Sequence, residues 1–309
     1  MASNNLRSRA RYAMGQQQAG DELVSLLGGA GQLTGDVFYL DPASGNDNNS
    51  GEAKDAAKKT SNAAIGLCAA NNGDVIIRMK GTESVTETVS YDVAGISVIA
   101  QSYGSPANEQ GEAFATYAAA AFTSGPPVTI TAPTSFYGVG FSGRWVGATA
   151  SAVLVNGEGG GFVGGWNLFH ECRFMSWVAS TNFGIHFDAG ANNRMVNCSF
   201  DGVPGGFGFA SGISFGGSAS NNPTNNKILG CDFTDCTYAI THTDGTPANF
   251  LYKGNVVIDG KMLNSKNAGA NGLVADNWYE TATDTFTYDV AVATMQGNGI
   301  QFSGNHYSE

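Results

Sequence analysis

The pattern Asn, four residues, Cys, one residue, Phe is written three times in this chain: "NLFHECRF" at 167–174, "NRMVNCSF" at 193–200 and "NKILGCDF" at 226–233. Repetition of this kind decides architecture before local propensity does, because each copy is one structural unit stacked on the next. The residue that closes the unit extends the series in both directions. It runs Phe141, Phe174, Phe200, Phe233, Val257, Tyr279 and Tyr307, at intervals of 33, 26, 33, 24, 22 and 28 residues. Two places before each stand Val139, Cys172, Cys198, Cys231, Asn255, Asn277 and Asn305, so a small or amide side chain recurs at one level.

A second series runs between the first. "SAVLVNG" (151–157), "FGIHFDAG" (183–190), "SGISFGGS" (211–218) and "YAITHTDG" (238–245) align on Val153, Ile185, Ile213 and Ile240, at intervals of 32, 28 and 27 residues. Each unit therefore holds at least two strands, whose alternate side chains face opposite ways. Near-fixed strand positions with unequal loops describe a right-handed parallel β-helix. A sandwich would instead need tight hairpin turns between paired strands. In a stacked solenoid like residues lie over like, about 4.8 Å apart. Asn167, Asn193 and Asn226 are then expected at turns of left-handed backbone, with their amides bonded to the next coil. Each Cys and the Phe two places on should form one inward row.

The composition agrees. There are 43 Gly and only 8 Pro in 309 residues, charged residues are 13% and hydrophobic ones 42%, which suits a folded chain of many tight turns. A net charge of −11 argues against a nucleic-acid surface, since the phosphate backbone would be repelled. No stretch is long and apolar enough to span a bilayer. The first residues, "MASNNLRSRARYAMGQQQAGDELVSLL", lack the continuous apolar segment of a secretory signal, so export by that route is not expected. Five cysteines without CxxC spacing favour neither a disulfide framework nor a zinc site. They read as small buried apolar side chains.

Residues 37–102 carry a signature of their own. "FYLDPASGNDNNSG" is followed by a helix expected after Thr60, an acceptable N-cap, running through Ala63, Ala64, Ile65, Leu67 and Cys68. Then come the strand pair "GDVIIRMKGTESVTETV" and, one coil later, "ISVIA". This order resembles the N-terminal cap and first coils of the pectin-lyase-like right-handed parallel β-helix superfamily. There a "YVDPxxGxDxxxG" opening, a capping helix and a "GDTIxxxxGTYxExV" strand pair recur. The resemblance covers about residues 37–309, with 37–74 as the cap region and 1–36 as an arm before it. It implies the fold; the superfamily hosts lyases, hydrolases, epimerases, adhesins and phage tailspikes, so it leaves function open.

Enzymes of this superfamily usually line one outward groove with carboxylates, or with basic residues beside calcium-binding carboxylates. With Ile185 and Phe187 inward, His186 and Asp188 face out together, followed by Ser214 with Gly216 and Thr241 with Thr243. On the other ladder Glu171 and Arg173 face out, then Asn197 with Ser199 and Gly230 with Asp232. The paired carboxylates of glycoside hydrolysis are not stacked on either ladder. The acid candidates for an enzyme are Asp201, Asp235 and Asp244, each just after a strand, where turn-forming Asp is the plainer explanation. The four histidines, His170, His186, His242 and His306, lack metal-ligand spacing, and His242 is expected partly buried. No cofactor or metal is expected. Trp145, Trp166, Trp177 and Trp278, with Tyr137, Tyr279 and Tyr307, suit either a sugar-stacking surface or a subunit interface.

Arg7, Arg9 and Arg11 make the arm basic on an otherwise acidic chain. A frayed terminus is one reading. The other is an anchor that docks the solenoid onto a partner, as phage tail and head proteins do through a small N-terminal piece. The expectation taken from these features is a structural virion protein of a bacteriophage, a head-decoration, fibre or spike component without catalytic activity. It would be made in the host cytoplasm and held to capsid or tail proteins by its arm; trimerisation is what resemblance to phage spikes implies. The alternatives are a tailspike-type depolymerase, hydrolase or lyase, and a non-catalytic glycan-binding adhesin. Residues 103–127, Ala-rich between strand signals, are expected to leave the solenoid as a side excursion.

Overall fold

The computed structural model describes residues 35–101, 115–122, 125–145, 151–156, 165–176, 183–188, 190–202, 208–216, 223–243, 247–265, 270–280, 296 and 299–307. Its strands form three parallel sheets, and from Val75–Arg78 to Trp278–Glu280 the chain visits them in the same order in every coil. The first sheet has ten strands. They run from Val37–Leu40 and Val75–Arg78 through Leu168–His170, Arg194–Val196, Lys227–Leu229 and Phe250–Lys253 to Ile300–Ser303. The second has nine, from Gly81–Ser84 through Arg173–Ser176, Ser199–Gly202 and Asp232–Thr234 to His306–Tyr307. The third has seven, from Val89–Tyr91 through Phe183–Phe187, Phe209–Phe215 and Cys236–His242 to Lys261–Ser265. This is a right-handed parallel β-helix with three strands per coil. The two sequence series are its second and third sheets, in the registers expected: Phe141, Phe174, Phe200 and Phe233 are successive partners, as are Val153, Ile185, Ile213 and Ile240.

Stacking like on like fills the interior. The rings of Phe141, Phe174, Phe200 and Phe233 lie nearly parallel at centroid spacings of 5.1, 4.6 and 4.8 Å, about the separation of neighbouring strands. All four are buried, and burial of a Phe side chain contributes about 1.5–3 kcal/mol. Cys172, Cys198 and Cys231 form the inward row beside them, with their thiols donating to backbone carbonyls. Where that row changes residue, Asn255, Asn277 and Asn305 continue it. Cys231 N–H donates to Asn255 Oδ1, and each Asn then donates to the next.

The other asparagine row, Asn167, Asn193 and Asn226, bonds from coil to coil as expected. Its backbone is not left-handed, however. Positive φ falls one residue earlier, at Trp166, Asn192, Asn225 and Asn249, and again at the corner between first and second sheets, at Glu171, Asn197, Gly230 and Gly254. Glu171 and Asn197 are thus corner residues and not outward strand positions. That corner is two residues long in each coil from Leu168 onward, whereas the loops elsewhere vary. Within 103–127, Ala115–Phe122 is a strand of the second sheet paired to both neighbours and not an excursion. Ala is a weak strand former, so pairing to both neighbouring coils overrides local propensity there.

The helix after Thr60 spans Ser61–Ile65, shorter than expected, with Thr60 Oγ1 accepting from Ala63 N–H at 3.3 Å. Ala64 and Ile65 are in the core. Its first turn is fastened to the solenoid interior by Glu83, which accepts from Ser61 N–H and Oγ at 2.8 and 2.6 Å. Glu83 also pairs with the fully buried Arg78 at 2.6 Å. A buried pair of this kind needs further hydrogen bonds, and Ser61 Oγ supplies one by accepting from Arg78 at 3.1 Å. Asp47 ties the preceding loop to the same turn. Burial opposes its charge, but hydrogen bonds from Thr60 and Lys59 outweigh that and hold its pKa below the usual carboxylate value.

Candidate functional site

Strict alternation holds in Val89–Tyr91 and Val128–Ile130 but fails in the five third-sheet strands from Ser151–Val155 to Lys261–Ser265. Ala152 with Val153, Ala239 with Ile240, and Met262 with Leu263 are consecutive core residues. Gly184 precedes Ile185, and Gly212 precedes Ile213, at the same position. A Cβ on Gly184 would stand 2.8 Å from the Phe200 ring, and one on Gly212 2.7 Å from the Phe233 ring, so both positions point inward where the Phe stack leaves no room. Two successive inward residues kink the strand toward the core. The outward residues on either side then approach one another across the kink, Phe183 with His186 and Ser211 with Thr241, and this row of contacts on the outer face is termed the furrow.

The contacts across the kink trace the furrow. The rings of Phe183 and His186 stack at 5.6 Å, and the hydroxyls of Ser211 and Thr241 meet at 2.7 Å. Ser211, Ser214 and Thr241 are buried although they lie on the outer side of the sheet. Beyond them, Lys261 Nζ sits 5.5 Å over the Tyr238 ring. Two buried oxygens here, Ser214 Oγ and Asn264 Oδ1, have no hydrogen-bond partner. At the furrow's edge His186 Nε2 is 3.8 Å from Asp188 Oδ1, and Asp188 is half exposed.

The sequence placed His186, Asp188, Ser214 and Thr241 outward, but not the row of contacts that gathers them, because the kink breaks the period of two. Of the acid candidates, Asp201 lies within the strand Ser199–Gly202 on the second sheet, its carboxylate held by Arg173 Nε at 2.6 Å. Asp235 is a turn residue with φ 54°, one residue past the register partner of Asp201. Both carboxylates, together with burial as the main cause, push the Cys236 thiol up. Neither reaches the furrow side of the kink, and Asp244 lies outside the described residues, as do Arg7, Arg9 and Arg11.

His242 is fully and not partly buried, with Nδ1 2.8 Å from Ser265 Oγ and Nε2 2.9 Å from Tyr252 Oη inside the solenoid. Burial lowers its pKa to about 3. Among the described residues no group of three His, Cys, Asp or Glu is placed to hold a metal ion. Trp166 and Trp278 are exposed, but they lie four coils apart, roughly 19 Å, the first at a corner before the first sheet and the second in a strand of the second, so they form no common stacking surface.

No family model matches the chain, and no curated protein matches it in sequence. Solved structures of the same fold do. A rhamnogalacturonan lyase matches at 16% identity and TM-score 0.52, over 88% of this chain and 87% of that one. A pectate lyase matches at 15% and 0.54, over 89% and 77%. A mannuronic acid-specific lyase of polysaccharide family 6 from human gut microbiota matches at 12% and 0.56, where 88% of this chain spans 59% of that one. The protein has the pectin-lyase-like parallel β-helix fold.

Proposed function

We propose that this chain binds a polysaccharide along the furrow of its third sheet. The observation that carries the reading is the row of partly exposed rings on this face, Phe183 stacked on His186 at 5.6 Å and Tyr238 with Lys261 Nζ 5.5 Å over it. Sugar rings present apolar faces to aromatic side chains, and a linear glycan matches a row of contacts that runs from coil to coil. Phe183→Ala separates this from a purely structural role. Truncating a partly exposed ring should cost little stability, while glycan binding weakens about 5- to 30-fold, the loss of about 1–2 kcal/mol of apolar contact. Binding to a panel of bacterial polysaccharides, measured by calorimetry for wild type and variant, tests it; unaltered affinity in the variant removes the furrow from consideration.

Turnover is the second reading, supported by the His186–Asp188 pair at the furrow's edge, where the imidazole can act as a base beside a bound sugar. New reducing ends or unsaturated products from the same panel, abolished in His186→Gln, would establish it. We further propose the setting to be a phage particle, with the arm as its anchor. Deletion of residues 1–35 should then abolish incorporation into particles while glycan binding persists; unchanged incorporation removes the anchor.

A further inference from the structure

The three sheets present different chemistry outward. The first sheet carries two outward rows, and across all ten strands neither contains an Asp or Glu. At its beginning the face is covered: Val75, Ile77 and Ile99 are buried with Val37, Tyr39 and Tyr137 packed around them. Further along it stays open, with Leu168, Val196, Leu229, Leu251 and Leu273 each half-buried. In the middle of this apolar strip Arg194 and Lys227 are register partners on adjacent strands. Like charges side by side across a strand pair repel, and neither cation meets a carboxylate among the described residues. On a chain of net charge −11, an acid-free apolar strip with two stacked, unneutralised cations is built against something acidic.

The second sheet has the matching character. Asp232 is exposed in its outward row, Asp259 is exposed at the corner just beyond, and Trp278 is exposed in the row of Asp232, with Val256 between them. We infer that the first sheet of one copy docks on the second sheet of a neighbouring copy. Such a contact joins two different faces, so repetition closes a ring when the rotation permits. The third sheet, with its furrow, then faces outward on every copy.

Sedimentation velocity and light scattering of the full chain test the inference. The wild type should behave as one closed oligomer across a wide concentration range. Arg194→Glu with Lys227→Glu should be monomeric, as should Asp232→Lys with Asp259→Lys. These are surface positions, so circular dichroism and melting temperature should stay at wild-type values. Mixing the two monomeric variants should restore assembly, because each variant's first sheet then meets a second sheet of opposite charge on the other. A monomeric wild type, a variant that assembles like wild type, or two monomeric variants that fail to pair would each overturn the inference.

Discussion

Asn277 Oδ1 accepts two hydrogen bonds from Asn255, one from its backbone N–H and one from its Nδ2, both at 2.9 Å. Its own Nδ2 donates to Tyr252 O at 3.2 Å and to Asn305 Oδ1 at 3.0 Å, so one buried amide joins three coils. Asn277→Ala leaves two buried donors on Asn255 without an acceptor. Each such group costs about 1–3 kcal/mol, so a loss of about 2–5 kcal/mol is expected in chemical denaturation. Because neighbouring coils stabilise one another in sequence, amide exchange should accelerate first around Asn255 and Asn305.

The glycines of the kink give a second prediction. Gly212→Ala drives a methyl group toward the Phe233 ring and, at 3.1 Å, toward Ala239 O. Overpacking of this sort costs about 1–3 kcal/mol. Phe233→Leu alone should also destabilise, by removing one ring from the stack. In the double variant the leucine makes room, and the two losses should sum to less than their separate values. Strict additivity in a double-mutant cycle would contradict the inward direction assigned to Gly212.

His242 makes stability depend on pH. Its folded pKa, about 3, is depressed below the unfolded value near 6.5, so the core accepts the neutral ring while the unfolded chain takes up a proton as pH falls. Its contribution is fully present above about pH 6.5 and is lost progressively below it, on the order of 4 kcal/mol by pH 3. His242→Gln retains hydrogen-bonding capacity toward Ser265 and Tyr252 without titrating. The difference in slope between wild type and variant, in urea denaturation from pH 6 to 4, should approach one proton. Equal slopes would show that the ring is charged or solvated in the folded protein.

The thiols should be silent in the folded protein. All five are free; burial raises Cys198, Cys231 and Cys236 far above the thiol range and pushes Cys68 up to about 12, with Asp74 adding to the last. A thiol-specific reagent at pH 8 should therefore label none of them until denaturant is added, when all five react together. Rapid labelling of Cys172, Cys198 or Cys231 in native conditions would mean that the interior row is open to solvent.

The second and third sheets are legible because a large inward residue recurs in register from coil to coil along each, Phe141 to Phe233 and Val153 to Ile240. The first sheet was not read as a ladder of its own. In "VIIR" and "NLFH" apolar residues occupy both faces, so no period of two stands out, and the reason is the apolar outer strip itself. The left-handed positions were assigned one residue late, to Asn193 and not Asn192, since either asparagine tolerates that backbone. The furrow is hidden in the sequence for the opposite reason. Gly184 and Gly212 look like turn glycines in the sequence, whereas their job is to make space for Phe200 and Phe233. What joins Ser211 to Thr241, thirty residues away, is contact between coils, which no local pattern encodes.

The two-residue corner between the first and second sheets acts as the fixed ruler of the molecule. From Glu171–Cys172 to Gly304–Asn305 its length never changes, while the connection from Val155 to Leu168 is far longer than that from Phe187 to Arg194. Growth by insertion is thereby confined to the two flanks of the furrow-bearing sheet. New sequence can accumulate beside the furrow and reshape what it meets, while the ladder that aligns the coils is left untouched.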